Sequence, residues 1–245
     1  NKKKTFFNSI LEDKHDFDLV INFDENNKIS KELFFRREDK NYNSFAYTAL
    51  INHKKIDNQL AYQVFTNIGP VAFLPCSNNE TSIVFSVIKK SRNLDKNEII
   101  NLINKYNYRY LIKSFSKLEK FDLKGSLLKN YYYKKILCFG NNAHKIHPLA
   151  GQGLNMTIRD IKKLSDIIDN KIDLGLPLDQ SILNEFENQT KHFNYLYAHS
   201  VNFIYEFFKF DNYFNNDYSN KLSNYFENNL FFKKYLIRFG DRGFI

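Results

Sequence analysis

His144 and His147 stand three residues apart within a stretch, residues 140–155, that also carries Gly140, Pro148, Gly151 and Gly153. Two histidines at that spacing can ligate a metal, yet no Cys, Asp or Glu of matching spacing accompanies them. Neither has an attached serine or cysteine signature that it could activate as a base. What remains is binding chemistry. The stretch holds three of the chain's eight glycines and one of its four prolines, which suits a turn that lets a flat or anionic group approach the backbone closely. Gly151-Gln152-Gly153 does not complete the dinucleotide fingerprint, because Met156 stands where a third glycine belongs. Cys76 and Cys138 form no recognisable pair and read as free thiols.

The elements on either side explain why such a turn would sit there. Residues 136–139, Ile-Leu-Cys-Phe, are apolar on consecutive positions and predict a strand covered on both faces. After the turn, Leu154, Ile158, Ile161, Leu164 and Ile168 recur at helical spacing, with Arg159, Asp160, Lys162 and Lys163 expected on other faces. The turn therefore joins the carboxyl end of a buried strand to a helix N-terminus, where α/β sheets bind ligands and where free N–H groups carry partial positive charge. Another strand is expected at residues 18–21. Strands follow at 45–51, 61–66, 71–74 and 82–87, then a helix at 95–106 carrying Ile99, Ile100 and Ile103. After Leu178 the chain reads as helical. Around residues 181–210, Tyr197, Val201, Ile204 and Phe208 keep one face, widened by Phe203, Phe207 and Phe210.

The whole string is more specific than its glycines. It resembles the flavin-contacting motif of class A flavoprotein aromatic hydroxylases, G-D-A-A-H, three residues, P-x-x-G-Q-G-x-N, then D; here Gly140, Ala143, His144, Pro148, Gly151, Gln152, Gly153, Asn155 and Asp160 match. Within that superfamily the chain is similar to the ubiquinone-biosynthesis hydroxylases. The likeness extends to residues 61–66, Ala-Tyr-Gln-Val-Phe-Thr, residues 69–75, Gly-Pro-Val-Ala-Phe-Leu-Pro, and residues 146–151, Ile-His-Pro-Leu-Ala-Gly, and it runs through essentially the whole chain in order.

The resemblance implies an α/β (α+β) fold: the C-terminal portion of a class A flavin monooxygenase, with a partial Rossmann-like FAD-binding layer, an antiparallel-rich substrate sheet and C-terminal helices. It divides the chain into a residual FAD-binding layer (1–35), a substrate-binding sheet (36–130), a second piece of the FAD layer with the motif (131–176) and a helical region (177–245). It implies that FAD is bound through Gly140, Asn141, His147, Pro148, Gly151, Gln152, Gly153, Leu154 and Asn155, with Asp24 near the pyrophosphate. NAD(P)H would reduce the flavin, and an oxygen of O₂ would pass to the ring of a polyprenylated phenol seated on the apolar face of the sheet. N–H groups near Gly153, Leu154 and Asn155 would face the flavin N1–C2=O edge. His144 would orient the turn, and Pro148 would fix the loop beside the ring. No general base is identified.

Two departures bear on this. Asn141 replaces the family's aspartate, turning a charge-assisted hydrogen bond into a neutral one weaker by roughly 1 kcal/mol. Where the family reads D-L-V-I-G-A-D-G-A-N, residues 18–27 keep Asp24 and Asn27 but replace both glycines, by Asn22 and Glu25. No G-x-G-x-x-G occurs anywhere, so the chain reads as the C-terminal portion of a longer hydroxylase. The alternative is a non-catalytic fragment or pseudoenzyme, a lipid-binding or assembly component of a ubiquinone-synthesis complex.

With 43% hydrophobic and 17% aromatic residues, the chain has material for a sizeable core. Its net charge of +9 speaks of partners and not of fold, either as the lysine excess of an AT-rich genome or as attraction to an anionic cofactor or membrane surface. The basic residues are scattered, without a nucleic-acid recognition motif. No apolar run is long enough to span a bilayer. Residues 230–239 mix aromatics with cations, as a segment resting on a membrane interface would. A cytoplasmic protein, peripheral on the inner membrane and in company with other ubiquinone-synthesis proteins, is the expectation.

Overall fold

The computed structural model describes residues 17–89, 94–148 and 152–214, with side chains to residue 207 of the last helix. Residues 230–239 and the side chains of Phe208 and Phe210 lie outside that set. The chain divides into two compact units, one holding residues 17–40, 125–148 and 152–202 of those described, the other 41–89, 94–124 and the residues from Phe203 on.

In the first unit, β1 (Val20–Asn22) pairs in parallel with β9 (Ile136–Cys138), Val20 facing Ile136 and Asn22 facing Cys138. β8 (Tyr132–Tyr133) adds to β9 on its other side, antiparallel. All three residues of β9 are at most 2% exposed, as a strand covered on both faces requires. The short helix α1 (Lys28–Leu33) follows β1 and is capped by Asn27, whose side chain accepts from the Ser30 N–H. β10 (His144–Lys145) pairs with the end of β7 (Glu119–Leu128), His144 opposite Leu127. Helix α3 (Gln152–Asp173) and the first part of α4 (Gln180–Phe214) close the core, where Leu164, Ile167, Ile182, Leu183 and Phe186 meet Leu137 and Phe139.

The second unit is built on an antiparallel sheet. β2 (Arg37–His53), β3 (Tyr62–Thr66), β4 (Gly69–Ser77), β5 (Glu80–Ile88) and β7 (Glu119–Leu128) lie in the order β7-β2-β5-β4-β3, with β6 (Ile112–Phe115) also on β2. Register sets Tyr47 and Val71 on either side of Phe85, and Ala49 and Phe73 on either side of Ile83. Cross-strand neighbours share a face, and this one is covered by Ile99 and Ile103 of α2 (Lys96–Tyr106), both fully buried. Asp95 and Glu98 close a reciprocal capping box at the start of α2. At the β3–β4 turn, Gly69 has φ +136°, and a Cβ there would lie 2.0 Å from the carbonyl oxygen of Ser86. Only glycine fits that approach.

Three expectations need correction. The buried face of α3 is Met156, Asp160, Leu164 and Ile167, whereas Leu154, Ile158 and Ile161 are 67%, 54% and 54% exposed. Asp160 faces inward because His144 and Asn194 supply partners for its carboxylate. On α4, Phe203 is 71% exposed and does not widen the buried stripe; Tyr205, 4% exposed, lies edge-on to Tyr42 instead. The most apolar sheet face is occupied by α2, which makes it core and not an open seat.

Candidate functional site

The parallel pair β1–β9 delivers two chain ends to the same place. Phe139 N–H, just past β9, donates to the Asn22 carbonyl at 3.1 Å, which extends the pairing one step. Gly140 then takes φ +61° and starts a short 3-10 turn, Gly140–Asn142. A Cβ on Gly140 would lie 3.6 Å from Thr157 of α3 and 3.8 Å from Phe23 after β1. The glycine is therefore demanded by its left-handed backbone and not by lack of room. Its position brings the end of β1, the turn and the second turn of α3 together.

Asn142 is fully buried and ties this junction. Its Nδ2 donates to the Asn22 carbonyl (3.1 Å), to Ser30 Oγ (3.0 Å) and towards Cys138 Sγ (3.1 Å). Its two oxygens accept from one guanidinium, Arg37 Nη1 to the backbone carbonyl at 2.8 Å and Nη2 to Oδ1 at 2.7 Å. Asn22 donates to Ser30 Oγ at 2.8 Å and accepts from Asn27 Nδ2 at 2.6 Å. Burial pushes the Cys138 thiol up to about 12, so it stays protonated. Glu25, in the second altered glycine position, pairs with Lys145 Nζ at 2.8 Å. Phe23 packs edge-on against Phe139, with ring centroids 5.7 Å apart. Phe23 and Glu25 thus have partners in residues 139–145, whereas the Asn22 side chain is held by Asn27, Ser30 and Cys138.

The sequence-predicted residues fall as follows. Gly140 is buried, and Asn141 beside it is exposed with no hydrogen bond among the described residues. Asp24 is exposed, its carboxylate accepting from the Asn26 N–H at 2.8 Å. His147 is fully buried; burial, with Lys40 acting in the same direction, lowers its pKa to about 4 and keeps the ring neutral. Pro148 is exposed. Gly151 lies outside the described residues. Gln152, Gly153 and Asn155 are half-buried in the first turn of α3, and Leu154 projects outward there. Asn155 Nδ2 donates to Gln152 Oε1 at 3.3 Å, and the Tyr197 hydroxyl donates to the same oxygen.

Below the crossover, His144 Nε2 donates to Asp160 Oδ2 at 2.6 Å, and Asn194 Nδ2 reaches both carboxylate oxygens at 3.1 Å. Sequence reasoning missed Asn142, Arg37, Asn194 and Tyr197. The available signal was an asparagine at a position where the resembled motif has alanine; Arg37, Asn194 and Tyr197 carried none, because their partners lie tens of residues away. Among the described residues no group of His, Cys, Asp and Glu could hold a metal ion.

The arrangement can receive a ligand with a flat polar edge or hydroxyls. Among the described residues it offers a helix N-terminus with Gly153, whose added Cβ would meet only Ile146 at 3.8 Å, an Asn141 amide without a hydrogen bond and a neutral buried imidazole. These features fit the isoalloxazine and ribityl half of a flavin. The loop after β1, closed by its own side chains, offers less to a pyrophosphate.

Comparison with known proteins agrees. Residues 45–172 match the model of a family described as FAD binding domain. The mitochondrial ubiquinone biosynthesis monooxygenase of Danio rerio is 24% identical over 221 residues, which cover 72% of this chain and 45% of that protein. The 3-demethoxyubiquinol 3-hydroxylase of Escherichia coli K12 is 32% identical over 119 residues, 46% of this chain and 30% of the other. The chain spans under half the length of these relatives. In fold it is similar to PqsL, a probable FAD-dependent monooxygenase from Pseudomonas aeruginosa, with a TM-score of 0.60 at 16% identity over 80% of this chain and 58% of that one.

Proposed function

Because the chain belongs to the FAD-binding domain family, we propose that it is part of an FAD-dependent hydroxylase of aromatic rings, with NAD(P)H as reductant and a polyprenylated phenol of ubiquinone biosynthesis as substrate. The observation that carries this reading is the junction itself: Gly140 at φ +61° after a buried parallel strand, packed against the helix that opens with Gln152, Gly153, Leu154 and Asn155. The names of the Danio rerio and Escherichia coli relatives support the substrate class.

FAD, when bound, supplies the activation of O₂. The chain's residues bind and orient it. N–H groups in the first turn of α3, where a helix has no intrahelical acceptors to offer them, favour negative charge at the flavin's polar edge. Asn141 would accept from a ribityl hydroxyl. His147, held neutral by burial, adds no cation beside the ring. On the sheet of the second unit, α2 covers the strongly apolar face, which leaves the other one for the substrate ring; its small residues Ala46, Ala72 and Ser86 are buried too, Ala46 against Tyr42, Leu123 and Tyr205.

A second reading, a non-catalytic family member, is favoured by one observation: the positions of both lost glycines are sealed by Asn22–Ser30–Asn142 and Glu25–Lys145. Expression of the complete reading frame separates the two. A yellow protein that consumes NAD(P)H with a phenolic acceptor supports the hydroxylase. A colourless one that takes up no added FAD sinks it.

We further propose that the protein is cytoplasmic and peripheral on the inner membrane; what supports this is the mixture of aromatic and cationic residues at 230–239 of the sequence. No helix among the described residues is long and apolar enough to cross a membrane. Unchanged liposome binding after removal of residues 230–245 would remove that segment as the anchor.

A further inference from the structure

Gln152, the first residue of α3, has its side-chain oxygen taken twice, by the Tyr197 hydroxyl of α4 and by Asn155 Nδ2. An amide oxygen offers two lone pairs, and both are in use. A flipped amide would set its NH₂ against the NH₂ of Asn155. Gln152 Nε2 is therefore the end left to donate, and it meets no acceptor among the described residues. Tyr197 is itself fixed. It is 2% exposed, and the Arg159 guanidinium lies 4.6 Å from its ring centroid. The Arg159 side chain also hydrogen-bonds the phenol; a guanidinium only donates, so the Tyr197 oxygen accepts from Arg159 and its O–H is left to donate to Gln152. Arg159 lies seven residues after Gln152, two turns along the same face of α3. One helix thus supplies the acceptor and the cation, and α4 supplies the hydroxyl between them.

We infer that Tyr197 is a positioning residue of the flavin site: it locks Gln152 with its amide NH₂ presented as a hydrogen-bond donor to bound FAD, and Arg159 holds the phenol in that role. The inference rests on the FAD reading above. It concerns a residue of α4 that lies outside the resembled motif.

Tyr197→Phe in the full-length protein removes one hydroxyl and keeps the ring on Arg159. Three quantities are read: ¹⁵N relaxation of the Gln152 side-chain amide without flavin, FAD affinity by fluorescence titration, and the thermal midpoint without flavin. The variant is expected to free the Gln152 amide and to raise the FAD dissociation constant about fivefold, the worth of one hydrogen bond, while the midpoint moves by no more than about 4 °C. Gln152→Glu keeps an acceptor for Tyr197 but has no donor, and should weaken FAD binding at least as much; it also serves if Tyr197→Phe folds poorly. A Gln152 amide that stays ordered in Tyr197→Phe overturns the inference, as does FAD affinity equal to wild type in both variants. Wild-type protein that takes up no FAD overturns the proposed function as well, which distinguishes the two failures.

Discussion

The Asn142 side chain donates to the Asn22 carbonyl at 3.1 Å, so a residue of the turn after β9 closes the loop after β1 across 120 positions of sequence. Arg37 holds the opposite side of the same residue through two hydrogen bonds.

Removing that side chain strands several groups at once. Asn142→Ala is expected to cost about 2–4 kcal/mol, because hydrogen bonds to a charged group and a buried hydroxyl are lost together. Asn141→Ala, one residue away and exposed, should change stability by less than about 0.5 kcal/mol. Urea denaturation of both variants provides the comparison. Equal effects would show that the network does not hold the junction.

Gly69 and Gly175 both have positive φ, but their surroundings differ. A Cβ on Gly69 meets Ser86 O at 2.0 Å, while one on Gly175 meets nothing within 4 Å among the described residues. Gly69→Ala should destabilise by more than about 3 kcal/mol or prevent folding, and Gly175→Ala by about 1 kcal/mol from backbone strain alone. Thermal melting of the two proteins reads the difference.

On α3, Met156 is fully buried and Ile158 is 54% exposed. Met156→Ala is expected to cost about 2–5 kcal/mol, and Ile158→Ala under about 1 kcal/mol. The opposite ranking in chemical denaturation would restore the face that the sequence suggested.

That face shows where sequence reading stops. Leu154, Ile158 and Ile161 have the right spacing, and a carboxylate at 160 reads as solvent-facing. The choice between faces was made by His144 and Asn194, which arrive from other elements. Strands β3, β4 and β5 were legible because their apolar residues cluster between turn signals. β7 was not: its first four residues are exposed, and only Leu123, Leu127 and Leu128 of its large apolar side chains are buried. The N-terminal half of β2, with Arg37 to Asn41, hid in the same way. At the site, the order of binding residues along the chain could be read, whereas pairs such as Arg37–Asn142 and Glu25–Lys145 could not.

His147 gives a pH dependence. Its pKa in the folded protein, about 4, lies below the ordinary 6.5 of the unfolded chain. Between those values the unfolded state binds a proton that the folded state refuses, so the folded state loses stability as pH falls from about 6.5 to about 4. The contribution is about 3 kcal/mol, fully present above 6.5 and lost below 4. His147→Gln should flatten the stability profile across that window relative to wild type. Parallel profiles would mean that the imidazole titrates normally.

The buried His144–Asp160–Asn194 contact has a kinetic consequence. It fastens β10, the third turn of α3 and the middle of α4 at one point, so none of the three can fray alone without leaving a buried carboxylate short of a donor. Amide protons around that point should exchange with solvent at one shared slow rate, set by opening of the whole assembly.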